Sequence, residues 1–494
     1  GVAATSQGCA CGSEDGGDTR THCGPDCNQP CQPPLEVGLA GAYTSVAKAK
    51  DGTIWVAGYN DAVLSGGSNN LYGDLVVGKY DSGRNVVDWK TVDGVPVRTD
   101  GTCPDNDPKG IRNGETDSGD DVGLWTSTQL GPNDLPLVSY YDATHKRLKF
   151  AVEKGGTWST FVLKSQADAD VGRYAKMVIG DQGPVIAFLQ IEPGNDGHVR
   201  SRVVVARANV ATPTSPDAFS FEDAAVEEGN PCRAASCTGG LVCMKKTGLC
   251  TVQVTGCAPA CSDTQACITV DSKASCEGKK GPIETVADVF GAYISLVKGP
   301  SGLGMVVYDR PRGNLVALAD KGGSWERTII DGEIGSRADK TAIDTGDTGI
   351  GASLAIDANT WHVSYVNGVD ESLRYITFAD GKPGKSEIVD NGLAVDNANH
   401  ADGKHLVGDD SVIRVDGETV TILYQDASAG TLRRAVGTKN GTAHKWELHA
   451  IAQPNRFAGF FPQFVPGGNL VTNFWRQTDR GARSVTGNVS ILTP

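Results

Sequence analysis

The sequence predicts an all-β fold, a seven-bladed β-propeller interrupted by a small disulfide-rich inserted module. Three observations carry this. Glycine occurs 63 times in 494 residues, so turns are frequent and strands short. Apolar residues alternate with polar ones over short runs, and no long window keeps the 3.6-residue apolar period of a helix. One pattern of strand-like runs returns along the chain, the signature of a repeat architecture.

The clearest repeat begins at Gly123. It reads Gly123-Leu124-Trp125-Thr126-Ser127, a turn at Gly131-Pro132-Asn133-Asp134, then Leu137-Val138-Ser139-Tyr140-Tyr141-Asp142-Ala143. Leu148-Lys149-Phe150-Ala151, a Gly155-Gly156-Thr157-Trp158 turn and Thr160-Phe161-Val162-Leu163 complete four strands. The same order follows Gly41, Gly172, Gly291 and Gly349, and in divergent form follows positions near Gly408 and Gly459. The glycine-to-tyrosine gap is 18, 17, 16 and 18 residues for Gly123, Gly291, Gly349 and Gly41. The tyrosine-to-leucine gap is 7 residues from Tyr141 and Tyr308, and 8 from Tyr365 and Tyr424. A single repeat of this kind cannot bury both faces of its sheet, so neighbours must stack, and radial closure protects the edges.

Uninterrupted periods run from 49 to 59 residues. Two intervals are longer. One carries polar loops at 63–72 and 98–117, and the other holds a cysteine-rich stretch. The expected organisation is a cysteine-containing N-terminal tether at 1–34, blades 1–3 at 35–228, the insertion at 229–280, and blades 4–7 at 281–494. The last repeat shows three strands, so residues 34–38 are expected to supply its outer strand and close the ring.

Of the 14 cysteines, eight lie in the insertion: Cys232, Cys237, Cys243, Cys250, Cys257, Cys261, Cys267 and Cys276. Irregular gaps and the absence of histidine favour disulfides over zinc. The spacing divides them into two tandem four-cysteine units, each with two disulfides, which a short segment poor in large apolar residues needs. Cys103 is expected to pair with one of the N-terminal group Cys9, Cys11, Cys23, Cys27 and Cys31. Such cysteine use implies an oxidising compartment. Residues 1–9 read as the end of a bacterial lipobox, which makes Cys9 a possible lipid-anchor site and the outer cell surface the expected location. No apolar run is long enough for a transmembrane span. The net charge of −14 and the lack of basic clusters exclude nucleic acid as a partner.

The Tyr140-Tyr141-Asp142-Ala143-Thr144 run, with its Leu-Lys-Phe-Ala strand and Gly-Gly-x-Trp turn, resembles the repeats of secreted bacterial β-propellers found among cell-surface proteins of myxobacteria and their relatives. The resemblance covers residues 35–228 and 281–494. It implies architecture and a surface location, not an activity.

Asp121, Asp170 and Asp347 each stand two residues before a repeat glycine, and Asp288 stands three before. Placed around one mouth of the channel, these carboxylates are candidate ligands for calcium. Tyr43, Trp125, Tyr174 and Tyr293 recur at one position of the innermost strand, and His400 and His405 precede the sixth repeat; these six are the candidate ligand-binding residues. Aromatic faces beside carboxylates suit a carbohydrate. The loose Walker-like run Gly381-Lys382-Pro383-Gly384-Lys385-Ser386 reads as a hairpin turn, because a strand-like segment follows it where a P-loop needs a helix. No catalytic residue is assigned. The expected function is an extracellular binding or scaffold protein contacting a surface protein or glycan through a propeller face and the stapled insert. The alternative is a lectin, lyase or glycosidase acting at the top face.

Overall fold

The computed structural model describes residues 39–63, 71–96, 118–193, 199–229, 237, 239–244, 250–270, 272–279, 289–310, 313–332, 347–478 and 485–494. These form seven antiparallel sheets arranged as a seven-bladed propeller, with two further small hairpins in the insert. Among the described residues there is no α-helix, only 3-10 turns at Pro132–Asp134 and Pro216–Ala218. Among the described residues no helix is long and apolar enough to cross a membrane.

The innermost strands are Ala40–Lys48, Val122–Leu130, Asp170–Ile179, Phe290–Gly299, Thr348–Asp357, Val407–Asp416 and Phe457–Phe464. Each begins at one of the seven repeat glycines or within two residues of it. Gly41, Gly123, Gly172, Gly291, Gly349, Gly408 and Gly459 all have positive φ, between 92° and 113°, a region open to glycine at no steric cost. The residue two positions on is also left-handed in every blade: Tyr43, Trp125, Tyr174, Tyr293, Gly351, Asp410 and Phe461, with φ between 47° and 60°. Register shifts fall at this place in each blade, as at Ala42/Ser45 and Leu124/Ser127. The repeat is therefore a bulge that recurs in every blade and presents a side chain at the channel mouth in six of the seven. The end of the molecule where these strands begin is its top face.

Seams between blades are apolar. Leu148 and Phe150 meet Ile186 and Phe188 between blades 2 and 3, and Val306 and Leu315 meet Val363 and Tyr365 between blades 4 and 5. Serines beside the bulge add polar stitches. Ser127 accepts the Met177 N–H at 2.9 Å, and Ser295 accepts that of Leu354 at 3.0 Å.

Blade 7 has three strands, and Leu39 bridges in parallel to Gly487 on its third. Val56 and Val87 of blade 1 pack with Val465, Val489 and Ile491 of blade 7, closing the ring. Residues 34–38, expected to lie along that edge, are outside the described residues. So are Cys9, Cys103, Cys232 and the rest of the N-terminal cysteines.

In the insert, Cys237 pairs with Cys250, Cys257 with Cys267, and Cys261 with Cys276. Cys243 is also disulfide-bonded. The second four-cysteine unit is thus closed on itself, as its spacing predicts. The insert has its own small core of Met244, Ala266 and Ile268. The Walker-like run is a hairpin, with Ala379 paired to Lys382.

Candidate functional site at the channel mouth

The bulge position collects five aromatic side chains into one continuous arc. Ring centroids are 4.7 Å apart from Phe461 to Tyr43 and 5.6 Å from Tyr43 to Trp125. They are 4.9 Å apart from Trp125 to Tyr174 and 5.1 Å from Tyr174 to Tyr293. The arc follows blade order 7, 1, 2, 3, 4. Tyr43, Trp125, Tyr174 and Phe461 are half-buried, and Tyr293 at the end of the arc is 38% exposed.

Blades 5 and 6 complete the ring differently, with Gly351 and Asp410. A Cβ at Gly351 would meet nothing nearer than the Asp410 backbone nitrogen at 4.0 Å, so the arc lacks a side chain where one could begin. One Asp410 carboxylate oxygen accepts the Phe461 N–H at 3.0 Å. Enclosure by the channel walls pushes the Asp410 carboxyl up to about 6, with the neighbouring Asp409 charge adding to the rise. Lys176, two residues along the strand from Tyr174, is held below the usual lysine range by the same enclosure, while the Asp410 charge opposes the shift. Burial raises the Tyr43 and Tyr293 phenols too, reinforced by Asp410. All of these phenols are neutral donors at neutral pH. The mouth therefore offers ring faces, neutral hydroxyls and two carboxylates within one opening.

The sequence-predicted aromatics Tyr43, Trp125, Tyr174 and Tyr293 are brought together. Phe461, Asp410, Gly351 and Lys176 were not singled out. The signal was available: each of the first three stands two residues after a repeat glycine, even in the divergent repeats.

The predicted carboxylates Asp121, Asp170 and Asp347 stand behind the arc, on tyrosines whose rings contact Tyr43, Trp125 and Tyr293. Asp121 accepts the Tyr59 hydroxyl at 3.0 Å, Asp170 that of Tyr141 at 2.8 Å, and Asp347 that of Tyr308 at 3.3 Å. Each bond runs from the second strand of one blade to the start of the next. Asp170 also pairs with Arg173. Among the described residues, no group of three converging metal-ligand atoms includes Asp121, Asp170 or Asp347. Asp288 lies outside the described residues.

His400 and His405 sit together in the loop between blades 5 and 6, stacked with centroids 3.6 Å apart at 11°. His405 is 6% exposed. Its Nδ1 lies 2.7 Å from Asp426 and its Nε2 3.0 Å from Asp402. A ring with a carboxylate on each nitrogen is an imidazolium, and those carboxylates raise its pKa. The His400 Nε2 instead faces the Arg433 guanidinium at 2.7 Å, so it is an acceptor and the ring is neutral. Burial, then the His405 and Arg433 charges, hold the His400 pKa below its ordinary value. Arg433 is 1% exposed and reaches Asp390 at 2.7 Å as well as Asp426. His400, Asp402 and His405 present ligand atoms within 4.8 Å of one another, as do Asp120, Asp142 and His145. A guanidinium already bonds one member of each group, Arg433 to His400 and Arg147 to Asp142. No ring contact or hydrogen bond among the described residues joins the His pair to the aromatic arc.

A second concavity, of about 410 Å³, is lined by Lys164 and Gln166 at the end of blade 2 and by blade 3 residues of strands Pro184–Pro193 and Val199–Ala208. Its polar groups are already matched: Glu192 accepts from Gln166, Gln190 and Arg202.

No protein-family model matches the sequence, and no curated protein matches it. Among solved structures, the chain is similar to an alpha-L-arabinanase of Penicillium chrysogenum complexed with arabinobiose, at 12% identity over 75% of this chain and 93% of that one, with a TM-score of 0.42. It is similar to the WD40 domain of SCAP from fission yeast, at 7% identity over 94% and 89%, with a TM-score of 0.38. It is also similar to the NanB sialidase from Streptococcus pneumoniae, at 10% identity over 92% of each chain, with a TM-score of 0.34.

Proposed function

We propose that this is an extracellular binding protein that holds a neutral glycan at the top mouth of its channel. One observation carries the reading. Five aromatic side chains, none of them fully buried, form an unbroken arc around the mouth, and one carboxylate, that of Asp410, stands in the remaining part of the ring. Sugar rings present C–H faces that stack on aromatic planes, and their hydroxyls donate to carboxylates. A packing role alone would bury these rings between blades, as Tyr140, Tyr365 and Tyr424 are buried. Disulfides in the insert fit an oxidising, extracellular setting. The insert, with its separate core, is the element best suited to contact a surface protein.

The test is a glycan array probed with the wild-type protein and with Trp125→Ala. The wild type should bind one class of neutral oligosaccharide. The substitution removes the central platform of the arc and should weaken that binding by about tenfold or more, the loss typical of an aromatic anchor. Binding to nothing on the array, or equal binding by the variant, would contradict the reading.

A further inference from the structure

The aromatic ring of the mouth is incomplete, and the incomplete part has its own chemistry. Six of the seven bulge positions carry a side chain, and blade 5 carries Gly351. Glycine there is not demanded by the backbone. The same left-handed conformation holds tyrosine at 43, 174 and 293, tryptophan at 125, aspartate at 410 and phenylalanine at 461. Nor is it demanded by crowding, since a Cβ at Gly351 would have open space. What the glycine does is leave room.

That room has three walls. Tyr293 borders it and is the most exposed ring of the arc at 38%, because no aromatic of blade 5 covers its far side. Asp410 borders the other side, held in place by the Phe461 N–H. Asp409 is exposed beside it. Burial raises the Tyr293 phenol, opposed by the Arg310 charge and reinforced by those of Asp409 and Asp410.

We infer that the gap at Gly351 is the specificity subsite of the mouth, taking one pyranose ring of a neutral glycan with its face on Tyr293 and a hydroxyl donated to Asp410. The inference rests on the glycan-binding reading above and adds where the terminal ring sits and which residues select it. Asp410 requires a hydroxyl at that point of the sugar, because a buried acceptor left unmatched costs binding energy. An aromatic at position 351 would close the ring and exclude the ligand while copying a backbone that six neighbours already adopt.

The experiment titrates neutral tetrasaccharides of β-linked glucose, mannose or xylose into wild type, Gly351→Tyr, Asp410→Asn and Trp125→Ala by calorimetry. Thermal melting of each protein checks its fold. The expected result is that wild type binds one of the series. Gly351→Tyr should fold, melting a little below wild type because its backbone is left-handed, and bind about tenfold more weakly or not at all. Asp410→Asn should lose about tenfold, the loss typical of a hydrogen bond to a charged acceptor. If Gly351→Tyr binds as wild type while Trp125→Ala is weakened, the subsite is overturned and the glycan reading stands. If wild type binds none of the series, both fall together. Should Gly351→Tyr fail to fold, Tyr293→Ala and Asp410→Asn decide in its place, and wild-type affinity in both would overturn the subsite.

Discussion

The hydroxyl of Tyr141, on the second strand of blade 2, donates to Asp170 at the start of blade 3 at 2.8 Å. Its neighbour Tyr140 donates in the other direction, to Asp93 of blade 1 at 2.6 Å. Successive strand residues face opposite sides of the sheet, so one dipeptide ties a blade to both of its neighbours. Tyr140→Phe and Tyr141→Phe should each cost about 1–2 kcal/mol, the range for a buried hydroxyl whose acceptor is left behind. The two hydroxyls share no partner, so the double variant should lose the sum to within about 0.5 kcal/mol. Urea denaturation of the three variants reads this directly.

The same alternation accounts for the two tyrosine spacings in the sequence. Tyr141 and Tyr308 pair directly with Leu148 and Leu315. Tyr365 and Tyr424 stand one register earlier, where Val366 and Gln425 hold the pairing with Leu373 and Leu432. They face back, to Asp331 and to Asp390. The repeat was legible because glycine at the bulge and alternation along strands are local requirements. Which way each tyrosine points was hidden in a difference of one residue. The ring at the mouth was legible in four of its seven members. Asp410 and Phe461 share no residue type with the others, and Gly351 acts by what it lacks. Arg433 could not be found from the sequence, since its partners Asp390, His400 and Asp426 meet it only through the propeller's tertiary packing.

Arg433 compensates two carboxylates, Asp390 and Asp426, that are as buried as itself. Arg433→Met should destabilise the protein by about 3 kcal/mol or more, because removing one partner leaves uncompensated buried charge. Arg84→Met offers the contrast. Its pairs with Asp81 and Asp88 are on the surface, and its loss should be within about 1 kcal/mol. A denaturation midpoint shift of similar size for both would contradict this account of the blade 5–6 seam.

The two histidines beside Arg433 set opposite pH limits. The His405 pKa is raised in the folded state, so its stabilisation is fully present below the ordinary value of 6.5 and is lost as pH rises through the folded value. The His400 pKa is lowered, so its stabilisation is present above 6.5 and is lost as pH falls through its folded value. Their joint contribution peaks near pH 6.5. Denaturation midpoints measured from mildly acidic to mildly alkaline pH should fall on both sides. His405→Asn should remove the alkaline limb and His400→Asn the acid limb.

The insert should unfold alone. Its core of Met244, Ala266 and Ile268 is separate from the apolar clusters that hold the blades. Its shape depends on Cys237–Cys250, Cys257–Cys267 and Cys261–Cys276. Mild reduction should increase hydrogen exchange across 250–279 while the amides of the innermost strands keep their protection. Loss of protection throughout the propeller would show that the insert supports the blades.

The central claim is that ligand binds at the channel mouth, and a crystal structure with the best-binding neutral oligosaccharide tests it most directly. The account predicts sugar density over the aromatic arc, with one ring in the gap at Gly351 between Tyr293 and Asp410. Density in the groove beside Glu192 on blade 3, or on the insert, with the mouth left to water, would contradict it.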